Sequence, residues 1–353
     1  MRHALVALAA VATTLALADA AFAANTGSIT VWHSPMVLAG SQSTTFHVTV
    51  PQSTDPIAAT TIYVPHGYGV NVSRPAGTTI GTVAATAFAR DDGLTLPLSG
   101  AVVAEDPATY TASSAVCAGT PTSEAVWILN LSVLGTTLPV PLYVNPTAGP
   151  ARALGDYTLS ICLPPPDVAA GTPGRAFHGA QLLDALFTVN GVFTTPTAGG
   201  LLEWETLFTP YNPGRGTPNP AGAFEARAFV PLPIVAHLAS TYSKKTRTYT
   251  LTGRMSEGGL PVAGLTVAIA RGPSAKTLKR AASVKTGRNG TFKLVGRLKP
   301  RKTTFFQASA FAPEGDYTTQ GCKTPAVAFA PAGCVKATLS PWTATSATVR
   351  VKS

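Results

Sequence analysis

Apolar and polar residues alternate with a period of two along most of the chain, in short runs. Residues 28–32, 44–50, 60–64, 82–88, 125–134, 157–162, 188–193, 202–208 and 224–230 read this way. Successive side chains on opposite faces bury one side and expose the other, which is how strands behave. The same alternation returns over 248–255, 265–271, 281–286, 291–296, 303–310 and 346–352. In TFKLVG (291–296), Phe292 and Leu294 fall on one face and Thr291, Lys293 and Val295 on the other. Helical periodicity is nearly absent: QLLDALF (181–187) suits a helical turn or two and equally a strand. Asn190-Gly191, between FTV and VF, predicts a hairpin, because both central residues of a type I′ turn need positive φ. Gly287-Arg288-Asn289-Gly290 predicts a second one.

Composition strengthens this reading: 30 prolines and 32 glycines punctuate the 353 residues, as in short strands joined by turns. The expectation is an all-β protein of two or three β-sandwich domains. At the N-terminus, Met1-Arg2-His3 precedes an apolar run of about 15 residues, short of the roughly 20 that span a bilayer. Ala21-Phe22-Ala23 then fits a signal-peptidase site, so residues 1–23 read as a signal peptide of a secreted protein. The most apolar later window, 125–144, is broken by Asn130, Ser132, Pro139 and Pro141, and no membrane-spanning helix is expected. SATVRVKS at the C-terminus carries no apolar tail or sorting motif, so release or non-covalent retention at the cell surface is expected.

Charge divides the chain. Residues 24–235 hold six arginines, no lysine and twelve acids, whereas residues 236–353 hold 19 basic residues against Glu257, Glu314 and Asp316. The net charges are −6 and +16, and the step falls at FVPLPIVAHLAS (229–240), where Pro231 and Pro233 stiffen the chain. The expected domains are therefore an acidic region over 24–235, as one large sandwich or two joined ones, and a basic one over 236–353. The sharpest concentration is 283–305, where Lys285, Arg288, Lys293, Arg297, Lys299, Arg301 and Lys302 occur without an acid between them. An excess of this size attracts polyanions in a salt-dependent manner, and these seven residues are the candidate polyanion-binding set. The expected partner is an anionic cell-envelope polymer or lipid head groups. Nucleic acid is not expected, since Phe292, Phe305 and Phe306 fall at core spacing as much as at stacking positions.

Four cysteines in an exported chain predict disulfides, Cys117 with Cys162 and Cys322 with Cys334, each inside one expected domain. A metal site is not expected, because no Cys-x-x-Cys or Cys/His cluster exists. His33, His47 and His66, with Met36 nearby, would form a metal site only if three strands brought them together. Glu203 and Glu205 flank Trp204 and share one strand face, which reads as a solvent face rather than as a glycosidase pair. Asp91-Asp92-Gly93 reads as a turn. The nucleophile elbow, the His-Glu-x-x-His zinc helix, the phosphate loop and the dinucleotide fingerprint are all missing from the sequence.

TLTGRMSEGGLPVAGLTVAIARG (250–272) followed by SVKTGRNGTFKLVGRL (283–298) resembles the repeat of bacterial surface immunoglobulin-like domains and of the prealbumin-like carboxypeptidase regulatory domain. Gly259, Pro261, Val262, Gly264 and Val267 fit its first element, and Thr286, Gly290 and Phe292 its second. The resemblance implies an immunoglobulin-like sandwich with a structural role such as spacer, stalk or adhesion module. The expectation is a secreted or cell-surface, non-enzymatic protein with no cofactor. The alternative is an exported binder or enzyme for a small ligand, metal or glycan, with its site near the three histidines or near Trp204 and Glu203.

Overall fold

The structure is a computed structural model that describes residues 25–133, 135–317 and 337–353. The expected signal peptide (1–23), Cys322 and Cys334 lie outside the described residues. Runs rich in Val, Ile, Thr and aromatic residues form β1 (Ser28–Ser34), β2 (Ser41–Thr49), β3 (Ile57–Val64), β4 (Gly69–Val70), β5 (Thr79–Ala89) and β6 (Leu94–Glu105). A short helix, α1 (Thr111–Cys117), precedes β7 (Ala125–Val133), β8 (Thr136–Pro146), β9 (Tyr157–Cys162), β10 (Ala180–Thr194), β11 (Gly200–Pro210) and β12 (Phe224–Leu232). The basic region supplies β13 (Ile234–Ser243), β14 (Thr248–Glu257), β15 (Leu260–Pro261), β16 (Thr266–Gly272), β17 (Lys279–Lys285) and β18 (Thr291–Arg297). After these come β19 (Thr303–Ala312), β20 (Gly315–Tyr317), β21 (Ala337–Leu339), β22 (Trp342–Thr345) and β23 (Val349–Lys352). The protein is all-β, as its alternation requires.

The acidic region is one continuous antiparallel sheet, ordered β1-β2-β10-β5-β6-β7-β8-β9-β3-β11-β12. It rolls back on itself: Phe46 on β2 meets Trp204 on β11 edge-on with 5.3 Å between ring centres, although the strands lie eight places apart. Phe193 lies 6.1 Å from Trp127 and 5.9 Å from Trp204, tying the two walls together. These rings, with Phe187 and Phe208, are fully buried, and each contributes about 1.5–3 kcal/mol of transfer free energy. A disulfide joins Cys117 at the end of α1 to Cys162 at the end of β9, with 5.7 Å between Cα atoms.

The roll is closed by a segment from far along the chain. Strand β21 adds parallel to β12, and the Thr338 hydroxyl donates to the Ile29 carbonyl on β1 at 2.6 Å. The Val31 amide donates to Ser340 Oγ at 3.2 Å. Residues 337–340 thus belong to the acidic sheet, and the domain expected over 236–353 does not include them. The expected linker at 229–240 is strand on both sides of Pro233, and the Ile234 amide donates to Met36 O at 3.0 Å.

Two further sheets form a sandwich. One contains β13, β14, β15 and β18, the other β17, β16, β19, β22 and β23. Tyr249 and Phe306 meet between them at 4.8 Å, among buried Leu251, Met255, Ile269 and Phe292. Phe292 is buried while Lys293 and Val295 face solvent, as the alternation predicts. The Phe292 ring covers Gly253 on the neighbouring strand, where an added Cβ would stand 2.1 Å from its Cζ. Thr286 is fixed through Leu265: its hydroxyl accepts from the Leu265 amide at 2.9 Å and its own amide donates to Leu265 O at 3.0 Å.

Both expected hairpins are corrected. Asn190-Gly191 is a bulge inside β10, where pairing with β2 jumps from Asn190 to Phe193 and Gly191 has φ +63°. The turn 287–290 joins strands of different sheets, since β17 pairs with β16 and β18 with β14. At Gly290, φ is +72° and a Cβ would meet Met255 O at 2.5 Å, so this crossover requires glycine.

Candidate functional site

The seven cations singled out in the sequence are all solvent-exposed, but they do not form one patch. Arg297 ends β18, and Lys299 and Lys302 lie in the loop to β19; these three line an open groove of about 1000 Å³. Its other wall is the β16–β17 hairpin, which contributes Arg271, Lys279 and Arg280, three residues the sequence reading missed. Lys285, Arg288, Lys293 and Arg301 stand outside the groove lining.

Both walls are held by local structure. A bulge at Ala281, where the partners of Ile269 and Ala270 are Ala282 and Arg280, re-aims the end of the hairpin. In the opposite loop, buried Leu298 donates its amide to Arg247 O at 3.2 Å. Ser353 completes the clamp, donating its hydroxyl to Lys299 O at 2.8 Å and its amide to Lys302 O at 3.0 Å. The lining contains six cations, Thr277, Thr303 and Thr304, and neither an acid nor an aromatic ring. Among the described residues every ion pair lies in the acidic region, so these six charges repel one another uncompensated.

In the acidic region the three histidines do not come together. His33 is buried, its ring nitrogens 3.0 Å from Thr44 Oγ1 and 2.8 Å from Tyr68 OH. Burial pushes its pKa down to about 3, so it stays neutral. His47 pairs with Asp184 at 2.6 Å and His66 with Asp156 at 2.7 Å. Among the described residues no group of His, Cys, Asp and Glu is arranged to hold a metal. Asp91-Asp92-Gly93 is the turn expected, and its carboxylates are engaged by Arg175 at 2.6 Å and His178 at 2.7 Å.

Glu203 and Glu205 do share a face opposite buried Trp204, but it is not a simple solvent face. Arg227 Nη1 lies 3.0 Å from Glu203, and its Nη2 lies 2.9 Å from Glu225 and 3.4 Å from Glu205. The Glu205 and Glu225 side chains are only 6% and 1% exposed. Burial first, then the neighbouring glutamates, push Glu205 up to about 7 against the pull of Arg227. The same burial and carboxylates push Tyr63 up to about 12. A guanidinium engages both carboxyls, an arrangement unlike a glycosidase pair that flanks a glycosidic bond across a cleft.

No protein-family model and no curated protein sequence matches the chain. Among solved structures, the full-length major pilin SpaD from Corynebacterium diphtheriae aligns at 10% identity and TM-score 0.25, covering 81% of this chain and 56% of the pilin. This chain thus spans little more than half of the pilin's length. A DUF4466 family protein from Parabacteroides merdae aligns at 9% identity and TM-score 0.22, covering 93% and 99%. Likeness at this level supports neither a fold family nor a function. Among the described residues, no helix is long and apolar enough to cross a membrane.

Proposed function

We propose that the chain is an exported, non-enzymatic surface protein whose rolled acidic region is presented to the outside while the basic sandwich holds an anionic component of the cell envelope. The observation that carries this reading is the groove lined by six cations and no acid. A folded protein that keeps this many like charges together without acids gains from a partner that supplies them. The acidic region carries a net −6, which disfavours its approach to the same polyanion and leaves it facing away.

The test uses the full-length chain and isolated bacterial envelope. The protein should sediment with the envelope at low ionic strength and be released by about 0.5 M salt, where the screening length falls to a few ångströms. Absence of sedimentation at low ionic strength would remove the retention role.

A further inference from the structure

We infer that the groove between the β16–β17 hairpin and the β18–β19 loop is a built site for a linear phosphate polymer without ring stacking, and that the remaining cations of the sandwich are accessory. This rests on the reading of the basic sandwich as an anion-holding module and specifies where and what it holds.

The concentration of charge selects the groove over the outer face. Arg271, Lys279 and Arg280 face Arg297, Lys299 and Lys302 across one concave volume of about 1000 Å³, so a bound chain is contacted from two sides. Lys285, Arg288 and Lys293 instead lie outside the lining, at the end of β17, on the crossover turn and along β18. The walls are also preorganised by the bulge at Ala281 and the Ser353 clamp, which reduces the ordering cost on binding.

The chemistry of the lining selects the ligand. Three guanidinium groups offer paired donors that match phosphate oxygens bidentately, and lysines add mobile point charges. Nucleobases are held largely by stacking on aromatic side chains, and the lining has none. A concave groove also suits a flexible strand better than a flat bilayer, which would meet the outer cations first.

The experiment titrates full-length protein with long-chain inorganic polyphosphate at low salt. It compares the groove variant Lys279→Gln/Arg280→Gln/Lys299→Gln with the outer variant Lys285→Gln/Arg288→Gln/Lys293→Gln, which removes the same charge. Polyphosphate affinity should fall about tenfold or more in the groove variant and less than about threefold in the outer one. A sulfated polysaccharide of similar charge should bind wild type about tenfold more weakly. Equal losses in the two variants would overturn the groove as the site. Preferential binding of phosphatidylglycerol vesicles, weakened by the outer variant, would overturn it in favour of lipid head groups while leaving envelope retention intact. Failure of wild type to bind polyphosphate while it still sediments with envelope would likewise sink this inference alone. Failure of both would sink the retention reading as well. If the triple groove variant does not fold by circular dichroism, Lys279→Gln and Lys299→Gln singly should each lower affinity by about two- to threefold, and no change in either would count against the site.

Discussion

On the rolled sheet, Arg227 lies within 3.4 Å of three glutamates and Arg175 clasps Asp91; in the sandwich, Arg271, Arg280 and Arg297 line an open groove with no acid opposite. The same side chain therefore stands in two different settings within one chain. Held among carboxylates, a partly buried guanidinium is part of the fold, and its removal leaves uncompensated charge. Exposed among other cations it has no carboxylate partner among the described residues, and Arg280 is held only by its hydrogen bond to Ser283 Oγ at 2.8 Å. Secondary structure does not distinguish the two regions, since both are built from twisted antiparallel strands. The contrast lies in the local setting: Arg175 and Arg227 have carboxylates within reach, whereas the groove arginines have none in the lining.

The largest effect expected from breaking this contrast concerns the covalent tie of the acidic region. Changing Cys117 and Cys162 together to serine releases a loop of 45 residues and should cost about 4 kcal/mol of unfolding free energy by the loop-entropy relation, measured in denaturant titrations. Next comes Arg227→Gln, which strands three glutamates, two of them buried; a loss of about 3 kcal/mol is expected at neutral pH.

Smaller, and dependent on pH, is Glu205→Gln. The folded pKa near 7 stands above the ordinary 4.5, so the folded state holds the proton more tightly than the unfolded chain. Its favourable contribution is complete below pH 4.5, declines as pH rises, and is lost above about 7. Glutamine mimics the protonated acid. The variant should match wild type at pH 4 and be more stable by about 1–2 kcal/mol at pH 8; a destabilised variant at pH 8 would show that the ion pair with Arg227 outweighs burial. The smallest effect is Arg271→Gln in the groove, where melting should stay within about 0.5 kcal/mol of wild type. A loss comparable to that of Arg227→Gln would erase the distinction between the two regions.

Much of the strand pattern was legible. β9 occupies the predicted residues 157–162, and QLLDALF is strand within β10. β6 and β8 were not, because Pro97, Pro139 and Pro141 argue against strand. The structure shows why those prolines are tolerated. β7 pairs with β6 only from Ser99 onward, and β9 pairs with β8 only from Leu142 onward. Each proline therefore sits on a stretch with one free edge, where a missing N–H leaves no partner unsatisfied. Of Asn190-Gly191 only the glycine takes positive φ, as a bulge needs, whereas a type I′ hairpin turn would need it at both residues.

Of the site, Arg297, Lys299 and Lys302 were visible as part of a charge run. Arg271, Lys279 and Arg280 had a signal in RGPSAKTLKR (271–280), a Gly-Pro turn flanked by cations. Joining the two walls required knowing that 287–290 crosses between sheets. The closure of the roll by Thr338 and Ser340 left no local trace, because the contacts span 309 residues.

The central claim, that the sandwich's charges are kept for a ligand, is tested most directly by the salt dependence of polyphosphate binding to the full-length chain. Each cation that contacts phosphate contributes somewhat under one unit to the slope of log affinity against log salt. Wild type should give a slope of about −4 to −5, and the triple groove variant should lose about two units of it while the outer variant keeps it nearly unchanged. A wild-type slope near zero, or equal slopes in the groove variant and wild type, would contradict the account.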